Sequence, residues 1–591
     1  MITPENIQNP SDLDGLTPEE LQSFAADVRR FLIENVSQTG GHIGANLGTV
    51  ELSVALHAAF DSPNDAFLWD TGHQGYTHKI ITGRAHMFPS LNSYGGMNRF
   101  VTRDESSHDP IEASHAGTSV SVALGIALAK KLQHSQDYTV AIIGDGALAE
   151  GMALEALNHA AVEDTRLVVV INDNGFAISP GFGGLHEALQ EGSERAGAFF
   201  DAFGFDYIGT VDGHDVESLL LAFADAQDCE RIPVVHVKTV KGYGWEPAAE
   251  HPFRQHFSFP FDPESGELSS ASPAAVNYQD VAAKVIAEEM RCDPSIVAIT
   301  PSTLYATGLA PVFEEFPSRS FDPGMEEQHA LTLTVGLALG GMKPVIAYQS
   351  TFLQRAFDQL IHDVCFMQPP VLILGYRSGF AGYDNPTHHG VYDFAYLRGL
   401  PNLTILYPKD AFEAERMVRD NLRNLDGPTL ILMPYGPVVE LDPKVLDESA
   451  ASFAKAEIAR PGGDLAILAV GNKFETAMQT AELLAARGVQ AEVVNLRYLK
   501  PLPEDCLQEI FSRHQRVVTL EEAVLDGGVG SAISAFASDC GFHSEILRVG
   551  LPCGFIEPGS NEELSAKHGL RAEDILDDIC ARWQTLVLQA A

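Results

Sequence analysis

The clearest candidates for chemistry are two polar positions that each follow an apolar, β-branched run. Asp145 stands between Gly144 and Gly146 after TVAII, and Asn174 follows RLVVVIND, 29 residues after Asp145. Glycines let the backbone approach an anion closely, and the helix that follows offers free N–H groups. Carboxylate and amide oxygens suit Mg²⁺, which shares its octahedral shell with phosphate oxygens. The pattern indicates a metal-bound phosphorylated ligand; the alternative is a plain strand-to-helix turn in which Asp caps the helix.

Such a site needs two parallel strands whose carboxyl ends adjoin. TVAIIGDG (139–146), ALEALNHAAVED and RLVVVINDN (166–174) follow one another in the order that predicts strand, helix and parallel strand. Ligands of open parallel sheets bind beyond the carboxyl ends of the strands, which is where Asp145 and Asn174 would lie.

The same alternation continues along most of the chain. It predicts further strands at 343–350, 370–379, 403–410, 429–436, 464–471, 490–499 and 516–523. Polar segments at 262–277 and 442–463 are typical of linkers. We therefore expect an α/β protein with three parallel-sheet domains, at 1–265, 278–440 and 460–591.

The composition narrows the class of partner. The chain has 591 residues, 80 of them acidic and 38 basic, with a formal net charge of −42 and 45% hydrophobic residues. This is a globular composition, and no Lys/Arg-rich run provides the basic stripe that nucleic acid requires. A small phosphorylated ligand remains compatible with this composition, because nearby cations and backbone amides can attract an anion despite the negative net charge.

The termini and cysteines favour an intracellular setting. The N-terminus has neither the basic nor the apolar region of a signal peptide, and no apolar run approaches the ~20 residues that span a bilayer. The seven cysteines are widely spaced and form no CxxC pair, so the pattern indicates neither a disulfide framework nor a zinc site. We expect a soluble cytoplasmic protein with reduced thiols and no membrane partner.

Several long segments resemble the 1-deoxy-D-xylulose-5-phosphate synthase family of the transketolase superfamily. GDG followed after just under thirty residues by NDN resembles the thiamine diphosphate motif. The other segments are GGHIGANLGTVELSVALH (40–57), WDTGHQGYTHKIITGR (69–84), KGYGWEPAAE (241–250), GMEEQHALT (324–332), STFLQRAFDQLIHDV (350–364), THHGVYDFAYLRGLPN (387–402) and LRYLKPLPED (496–505). The resemblance implies transketolase-type domains in a fixed order: diphosphate-binding, pyrimidine-binding and C-terminal.

The resemblance also implies thiamine diphosphate and Mg²⁺ as cofactors. Asp145 and Asn174 match the metal ligands, together with the backbone carbonyl of Phe176, and Asn174 also adjoins the cofactor. Trp245 stands where the family usually has Tyr, which keeps the area available for stacking. The remaining positions that match the cofactor's surroundings are His73, Ser114, His115, Ala116, Gly146, Ala147, Lys241, Glu327 and Phe352.

Four positions match residues to which the family assigns catalysis. Glu327 matches the glutamate that hydrogen-bonds a pyrimidine nitrogen and favours the imino tautomer, which removes the thiazolium proton. His42, His256 and His388 match active-site histidines suited to proton transfer and substrate orientation. The implied reaction decarboxylates pyruvate and joins the two-carbon unit to an aldehyde, most closely glyceraldehyde 3-phosphate. Its product would be 1-deoxy-D-xylulose 5-phosphate, a precursor of isoprenoids and thiamine, and the implied assembly is a homodimer.

The acceptor positions depart from the family. Relatives hold the acceptor phosphate with a Tyr and two Arg residues, and the corresponding residues here are Gln349, Arg377 and Tyr435. Replacing one guanidinium with a neutral phenol should cost about 1.5–3 kcal/mol, or roughly ten- to hundredfold in affinity. The other substrate positions, Arg355, Asp384 and His388, match the family.

A second departure is a shortened segment after Leu185, which predicts a differently shaped entrance to the active site. Three alternatives to the implied synthase stay open at this point. They are a divergent carboligase with a different, non-phosphorylated acceptor, a transketolase, and a paralogue that binds the cofactor without catalysis.

Overall fold

The structure is a computed structural model that describes residues 2–190, 193–251, 253, 255–269, 275–438 and 455–584. Its internal contacts divide the chain into two compact units. Unit 1 comprises Met1–Pro273 with Pro323–Glu326, and unit 2 comprises Ala274–Asp322 with Glu327–Ala591.

Unit 1 is built on one parallel sheet. Its described strands are β1 (Ala66–Trp69), β2 (Thr139–Gly144), β3 (Leu167–Asp173), β4 (Asp206–Asp212) and β5 (Pro233–Lys238). They lie in the order β1-β2-β3-β5-β4, and every neighbouring pair is parallel. β2 and β3 are apolar and buried almost throughout, as expected of strands covered on both faces.

Helices cover both faces of this sheet. The α-helices are α1 (Pro18–Thr39), α2 (Ile43–Gly48), α3 (Val50–Ala59), α4 (Tyr76–Lys79), α5 (Ser119–Leu132), α6 (Asp145–Leu148), α7 (Gly151–Ala160), α8 (Gly184–Gln190), α9 (Ser193–Phe203), α10 (Val216–Gln227) and α11 (Glu246–Glu250). Shorter 3₁₀ or π segments lie at Pro10–Leu13, Ile80–Arg84 and Ala85–Ser90. Residues of α1, α3 and α10 form one apolar core with the sheet, and residues of α5, α7 and α9 form the other.

Unit 2 contains two sheets. Its described strands are β6 (Ile296–Ile299), β7 (Ser320–Phe321), β8 (Lys343–Gln349), β9 (Leu372–Tyr376), β10 (Thr404–Leu406), β11 (Thr429–Met433), β12 (Glu457–Arg460), β13 (Leu465–Ala469), β14 (Ala491–Asn495), β15 (Tyr498–Lys500), β16 (Arg516–Val524) and β17 (Glu545–Leu551). The sheet orders are β15-β10-β11-β9-β8-β6-β7 and β12-β14-β13-β16-β17. Only the edge strands β15 and β12 pair antiparallel among the described strands.

Helices also pack on both sheets of unit 2. The α-helices are α12 (Tyr278–Cys292), α13 (Ala310–Glu315), α14 (Glu327–Leu339), α15 (Ser350–Leu353), α16 (Phe357–Gln359), α17 (Asp393–Leu397), α18 (Ala411–Arg423), α19 (Phe474–Ala485), α20 (Glu504–Arg513), α21 (Val529–Asp539), α22 (Asn561–Lys567) and α23 (Ala572–Arg582). Shorter 3₁₀ or π segments lie at Pro317–Arg319, Gln354–Ala356, Leu360–Phe366, Pro386–His388 and Gly471–Lys473.

The predicted α/β class with three mainly parallel sheets is confirmed, and a strand overlaps each predicted strand segment. One segment differs, because 490–499 contains β14 and the start of β15, which belong to different sheets. The chain turns at Arg497, whose φ is 57°. The Arg497 guanidinium lies 2.6 Å from Glu413 and 3.2 Å from Glu457, so a buried ion-pair network stabilises this turn.

The linker predictions are only partly covered by the structure. Residues 270–274 of the first linker and 442–454 of the second lie outside the described residues. The boundaries of the three domains therefore stay predictions. None of the described helices is both long enough and apolar enough to cross a membrane.

Candidate active site

The first candidate cluster lies at the carboxyl edge of the unit 1 sheet. β2 and β3 pair in parallel with Gly144 opposite Asn172, so both strands end at the same edge. Asp145 follows β2 and begins α6, and Asn174 is the first residue after β3. The two predicted metal ligands therefore lie at adjacent strand ends.

Asp145 is a buried carboxylate whose oxygens are available to bind a ligand. Its side chain is 1% exposed, and neither carboxylate oxygen has a hydrogen-bond partner among the described residues. Burial raises the pKa of Asp145 and nearby Asp173 adds to this, whereas His186 and the backbone of Asn174 lower it. A buried carboxylate that lacks partners is costly unless a cation or a polar ligand compensates it.

A tight turn after β3 carries the other predicted metal ligands. Oδ1 of Asn174 accepts a hydrogen bond from the N–H of Phe176 at 3.0 Å, across Gly175 with a φ of 75°. Gly146 packs so closely on this turn that an added Cβ would lie 3.0 Å from the Cβ of Ala177. Glycine at 146 thus lets the start of α6 approach the turn.

Lys241 supplies a buried cation beside this edge. Its Nζ donates to the carbonyl of Ala177 at 2.6 Å and lies 5.7 Å from the ring centroid of Phe176. Burial lowers the pKa of Lys241 to about 7, and the charge of Asp145 opposes that shift. An anionic ligand here would favour the protonated amine.

Three of the predicted histidines form one cluster in unit 1. The ring centroids of His42, His73 and His256 lie 5.2–5.5 Å from one another. Burial lowers the pKa of His73 to about 3, with a contribution from Lys241. Burial also lowers the pKa of His256 well below its usual value. His73 and His256 are therefore neutral near pH 7 and can accept protons or hydrogen bonds.

The segment 114–116 lies beside a hydrogen-bonded turn near the end of β1, whereas Trp245 lies in the apolar core. Asp70, directly after β1, accepts hydrogen bonds from the N–H groups of Gly117 (2.9 Å) and Ser119 (3.1 Å), which fixes the chain next to Ser114, His115 and Ala116. Trp245 lies in the apolar core of unit 1, where its indole N–H donates to the carbonyl of Pro263 at 2.9 Å.

In unit 2, Glu327 and Phe352 lie on two helices, α14 and α15. Glu327 begins α14, is 6% exposed, and its carbonyl accepts a hydrogen bond from the Tyr348 hydroxyl at 3.1 Å. Phe352 lies on α15 and contacts His388 edge to face, with ring centroids 5.5 Å apart. The structure therefore brings Phe352 and His388 together.

The three positions predicted to hold the acceptor phosphate lie at one edge of the larger sheet of unit 2. Gln349 is the last residue of β8, Arg377 follows β9, and Tyr435 lies two residues after β11. These strands are neighbours in the order β11-β9-β8 and run parallel. Arg355 lies in the 3₁₀ turn that follows α15.

Arg377, Tyr435 and Asp384 make direct contacts. The Arg377 guanidinium lies 5.0 Å from the Tyr435 ring centroid and donates to Asp384 at 3.0 Å. Arg377 has a φ of 62°, a left-handed conformation that costs a non-glycine residue about 1–2 kcal/mol. Gly382 has a φ of 75°, and an added Cβ would lie 2.9 Å from the Tyr435 ring. This loop therefore holds a guanidinium between an aromatic face and a carboxylate.

Comparison with known proteins identifies the family. Residues 5–196 and 191–239 match the family model for 1-deoxy-D-xylulose-5-phosphate synthase, residues 274–437 match the transketolase pyrimidine binding domain, and residues 454–575 match the transketolase C-terminal domain. A protein named 1-deoxy-D-xylulose-5-phosphate synthase from Geobacillus thermodenitrificans is 42% identical over 97% of this chain and 98% of its own. The chain belongs to the 1-deoxy-D-xylulose-5-phosphate synthase family.

Two further relatives carry the same name. The protein from Thioalkalivibrio sulfidiphilus is 41% identical over 98% of this chain and 94% of its own, and that from Shouchella clausii is 42% identical over 97% and 98%. The predicted resemblance to the synthase family is confirmed, and these matches do not favour the alternatives of a transketolase or a divergent acceptor. The roles of the individual site residues stay predictions.

The family segment 40–57 contains a positioning residue that sequence reasoning missed. Asn46, which is fully buried, donates to the carbonyls of His42 and His73, both at 2.7 Å, and accepts from the N–H of Tyr76 at 2.7 Å. The Tyr76 hydroxyl in turn accepts from the N–H of His42 at 3.2 Å. Spacing alone does not reveal these contacts, because His73 is 27 residues from Asn46.

A second missed residue is Asp393, in the family segment 387–402. It begins α17 and is fully buried, and neither oxygen of its carboxylate has a hydrogen-bond partner in the described part of the chain. Burial raises the pKa of Asp393 to about 7, whereas Ser350 and Ser378 lower it. These serines directly follow Gln349 and Arg377, so Asp393 lies behind the predicted acceptor edge.

Proposed function

We propose that this chain decarboxylates pyruvate and joins the remaining two-carbon unit to glyceraldehyde 3-phosphate, which yields 1-deoxy-D-xylulose 5-phosphate and CO₂. Membership of the synthase family supports the reaction. The observation that carries the proposal is Asp145, a buried carboxylate at the end of β2, beside the end of β3, whose oxygens have no hydrogen-bond partner among the described residues. Thiamine diphosphate with Mg²⁺ is the cofactor pair that we propose.

The residues at this edge of unit 1 fit a metal-bound diphosphate. Asp145 and Asn174, with the carbonyl of Phe176, would hold Mg²⁺, because hard cations take carboxylate and carbonyl oxygens. Lys241 and the backbone amides at the start of α6 would offset the charge of the diphosphate. When bound, thiamine diphosphate supplies a carbon nucleophile and an electron sink.

The histidine cluster would handle substrate protons. The Nδ1 atoms of His73 and His256 have no hydrogen-bond partner among the described residues, and both rings are neutral near pH 7 because burial lowers the pKa of each. Neutral imidazoles can accept a hydroxyl proton or orient a carbonyl oxygen. The ring centroid of His42 lies within 5.5 Å of the centroids of both other rings, so His42 would share this role.

In unit 2, the proposal assigns proton control to Glu327 and acceptor binding to Arg377. The buried carboxyl of Glu327 would hydrogen-bond the pyrimidine ring and thereby favour its basic tautomer. Arg377 would contribute the cation for the acceptor phosphate, with Asp384 fixing the orientation of its guanidinium.

Product analysis tests this function directly. The purified chain, loaded with thiamine diphosphate and Mg²⁺, should release CO₂ from pyruvate in the presence of glyceraldehyde 3-phosphate and form 1-deoxy-D-xylulose 5-phosphate, detected by NMR. Glu327→Gln should lower kcat by about 10²–10⁴-fold, while a fluorescence titration still shows cofactor binding. Cofactor binding with no CO₂ release by the unaltered chain would overturn the proposal.

We further propose that the chain works as a homodimer, an assembly that the sequence resemblance implies, and that it does so in the cytoplasm, which the widely spaced cysteines favour. Size-exclusion chromatography with light scattering should give twice the mass of one chain. A monomer that is fully active would contradict the assembly.

A further inference from the structure

An imidazole that no sequence motif singles out lies beside the predicted metal ligand Asp145. Nδ1 of His186 is 3.7 Å from Oδ2 of Asp145. This is beyond hydrogen-bonding distance, and neither Nδ1 nor either oxygen of Asp145 has a hydrogen-bond partner among the described residues. A nitrogen and two oxygens, all capable of donating lone pairs, thus share a buried space at the edge of the sheet.

The fold holds His186 in this position. His186 lies on α8, whose Leu185 and Leu189 pack into the apolar core under the sheet. Gln190, one turn after His186, donates to Asp173 at the end of β3 with a distance of 2.8 Å. The face of α8 that carries His186 and Gln190 is therefore fixed against the carboxyl edge.

A glycine makes room for the ring. An added Cβ at Gly181 would lie only 2.2 Å from Nδ1 of His186 and 2.5 Å from the next ring carbon. Any other residue at 181 would force the imidazole away from Asp145. The placement of His186 therefore depends on Gly181 as well as on α8.

The separation of nitrogen and oxygen suits a shared metal ion. Metal bonds to imidazole nitrogen and carboxylate oxygen are each about 2.0–2.2 Å, so two ligands of one ion lie roughly 3 Å apart at a right angle and roughly 4 Å apart when opposite. The observed 3.7 Å falls within that range. We propose that His186 is an additional ligand, through Nδ1, of the divalent metal held by Asp145.

This inference rests on the proposed function for the metal site and deepens it. Mg²⁺ prefers oxygen ligands, whereas imidazole favours later transition metals, with affinity rising from Mn²⁺ through Co²⁺ to Ni²⁺. With His186 as a ligand, the site binds Co²⁺ more tightly relative to Mg²⁺ than an all-oxygen site does. The chemical class of the bound ion therefore includes transition metals as well as Mg²⁺.

Metal binding with inorganic pyrophosphate, a nitrogen-free diphosphate, tests the inference without turnover. Pulsed EPR of bound Mn²⁺ should show modulation by a directly coordinated ¹⁴N, and His186→Asn should remove it. Calorimetric titration should show that His186→Asn weakens Co²⁺ binding about tenfold or more but changes Mg²⁺ binding less than about twofold. Gly181→Ala should weaken Co²⁺ binding in the same direction although His186 is retained.

Controls separate this inference from the proposed function. His159→Asn, a change at an exposed histidine on α7, should leave the ¹⁴N signal and both affinities unaltered. Asp145→Asn should abolish binding of both metals. Unchanged Co²⁺ affinity and an unchanged ¹⁴N signal in a folded His186→Asn protein would overturn the inference, and the proposed metal site would stand. Unchanged metal binding in Asp145→Asn would instead overturn the proposed site itself.

Discussion

Asp145 and Asp173 are acidic residues at the ends of adjacent strands, but their surroundings are opposite. Asp173 accepts hydrogen bonds from His236 (2.7 Å), Lys238 (2.6 Å) and Gln190 (2.8 Å). Burial raises the pKa of its carboxyl, but His236 and Lys238 outweigh burial and hold the pKa below its usual value. Asp145 has no described hydrogen-bond partner, and burial raises its pKa. The first arrangement stabilises the fold, whereas the second becomes favourable only when a ligand is bound.

This contrast predicts that Asp145→Asn stabilises the ligand-free protein. Removing a buried carboxylate that has no hydrogen-bond partner among the described residues should gain about 1–3 kcal/mol, which would raise the melting temperature of the unit 1 transition by several degrees. The same variant should lose the stabilisation that thiamine diphosphate and Mg²⁺ give the unaltered chain. Scanning calorimetry with and without these ligands measures both effects.

Asp173→Asn is the matched control. It replaces a carboxylate at the end of the neighbouring strand, but it removes the negative charge that pairs with Lys238 and should lower the melting temperature. If Asp145→Asn lowered the melting temperature in the same way, Asp145 would be a structural residue and not a metal ligand.

Tyr435 gives the second prediction at this scale. The acceptor edge has Arg377 at the end of β9, and its guanidinium packs on the Tyr435 ring. Tyr435→Arg should add a second charge-assisted contact to the acceptor phosphate and lower KM for glyceraldehyde 3-phosphate about ten- to hundredfold. KM for pyruvate should stay within about twofold, because the added charge acts on the acceptor.

The comparison with a non-phosphorylated aldehyde, glyceraldehyde, isolates the phosphate. Tyr435→Arg should leave kcat/KM for glyceraldehyde unaltered, and Tyr435→Phe should leave KM for both aldehydes unaltered. An equal change for the two aldehydes would show that Tyr435 acts on the shape of the pocket and not on phosphate binding.

At the scale of elements, hydrogen bonds of a single side-chain amide, that of Asn46, connect α2 with the turn before α4. Asn46 on α2 binds the carbonyls of His42 and His73 and the N–H of Tyr76. Asn46→Ala would leave three buried backbone groups without a side-chain partner, each at a cost of about 1–3 kcal/mol. We expect a clear loss of thermal stability together with a lower kcat, because two histidines of the cluster lose their supports.

Asn46→Asp distinguishes positioning from bulk. The aspartate keeps the size and can still accept from Tyr76, but it cannot donate to the carbonyls of His42 and His73. Steady-state kinetics should show a fall in kcat for both variants and cofactor binding within about tenfold of the unaltered chain. A variant that loses stability but keeps kcat would assign Asn46 a purely structural role.

The elements themselves were largely predictable, since strands such as β2 and β3 are short β-branched runs that end in polar turns. The pairing of their ends follows from the parallel order of strand, helix and strand. The contacts of Asn46 were not predictable, because they join backbone groups far apart in sequence. The position of His186 depends on the short helix α8 and on the lack of a side chain at Gly181. The pairing of β15 with a different sheet from β14 depends on the ion pairs of Arg497. The spacing of apolar residues predicts neither the position of His186 nor the pairing of β15.

At the scale of the whole molecule, a net charge of −42 coexists with a buried and a half-buried cation at the sites where anions are proposed to bind. Lys241 in unit 1 is 2% exposed, and Arg377 in unit 2 has a side chain that is 26% exposed. Burial removes most of the screening by water around Lys241, and water screens distant surface charges strongly, so one local cation can outweigh many distant surface carboxylates. The net charge of the whole chain therefore argues against nucleic acid as a partner, but it does not predict whether a small phosphorylated ligand binds.

Acid stability is a second property of the whole molecule, and it depends on a buried histidine network in unit 1. Nε2 of His57 lies 2.9 Å from Nδ1 of His78, whose other ring nitrogen lies 2.8 Å from Asp109. Arg84 pairs with the same carboxylate at 2.5 Å. Burial lowers the pKa of His57 well below its usual value, and burial, His78 and Arg84 lower that of His108 to about 4.

These shifts make the native state less stable in mild acid. An unfolded chain protonates His108 near pH 6.5, whereas the folded chain does so only near pH 4. Between those values the unfolded state binds more protons, so stability falls as the pH falls. His108→Gln removes this proton difference and loses a hydrogen bond to Ser62 at every pH. The melting temperature of the variant relative to the unaltered chain should therefore rise steadily from pH 7.5 to pH 5. A constant difference over this pH range would show that His108 is protonated equally in both states.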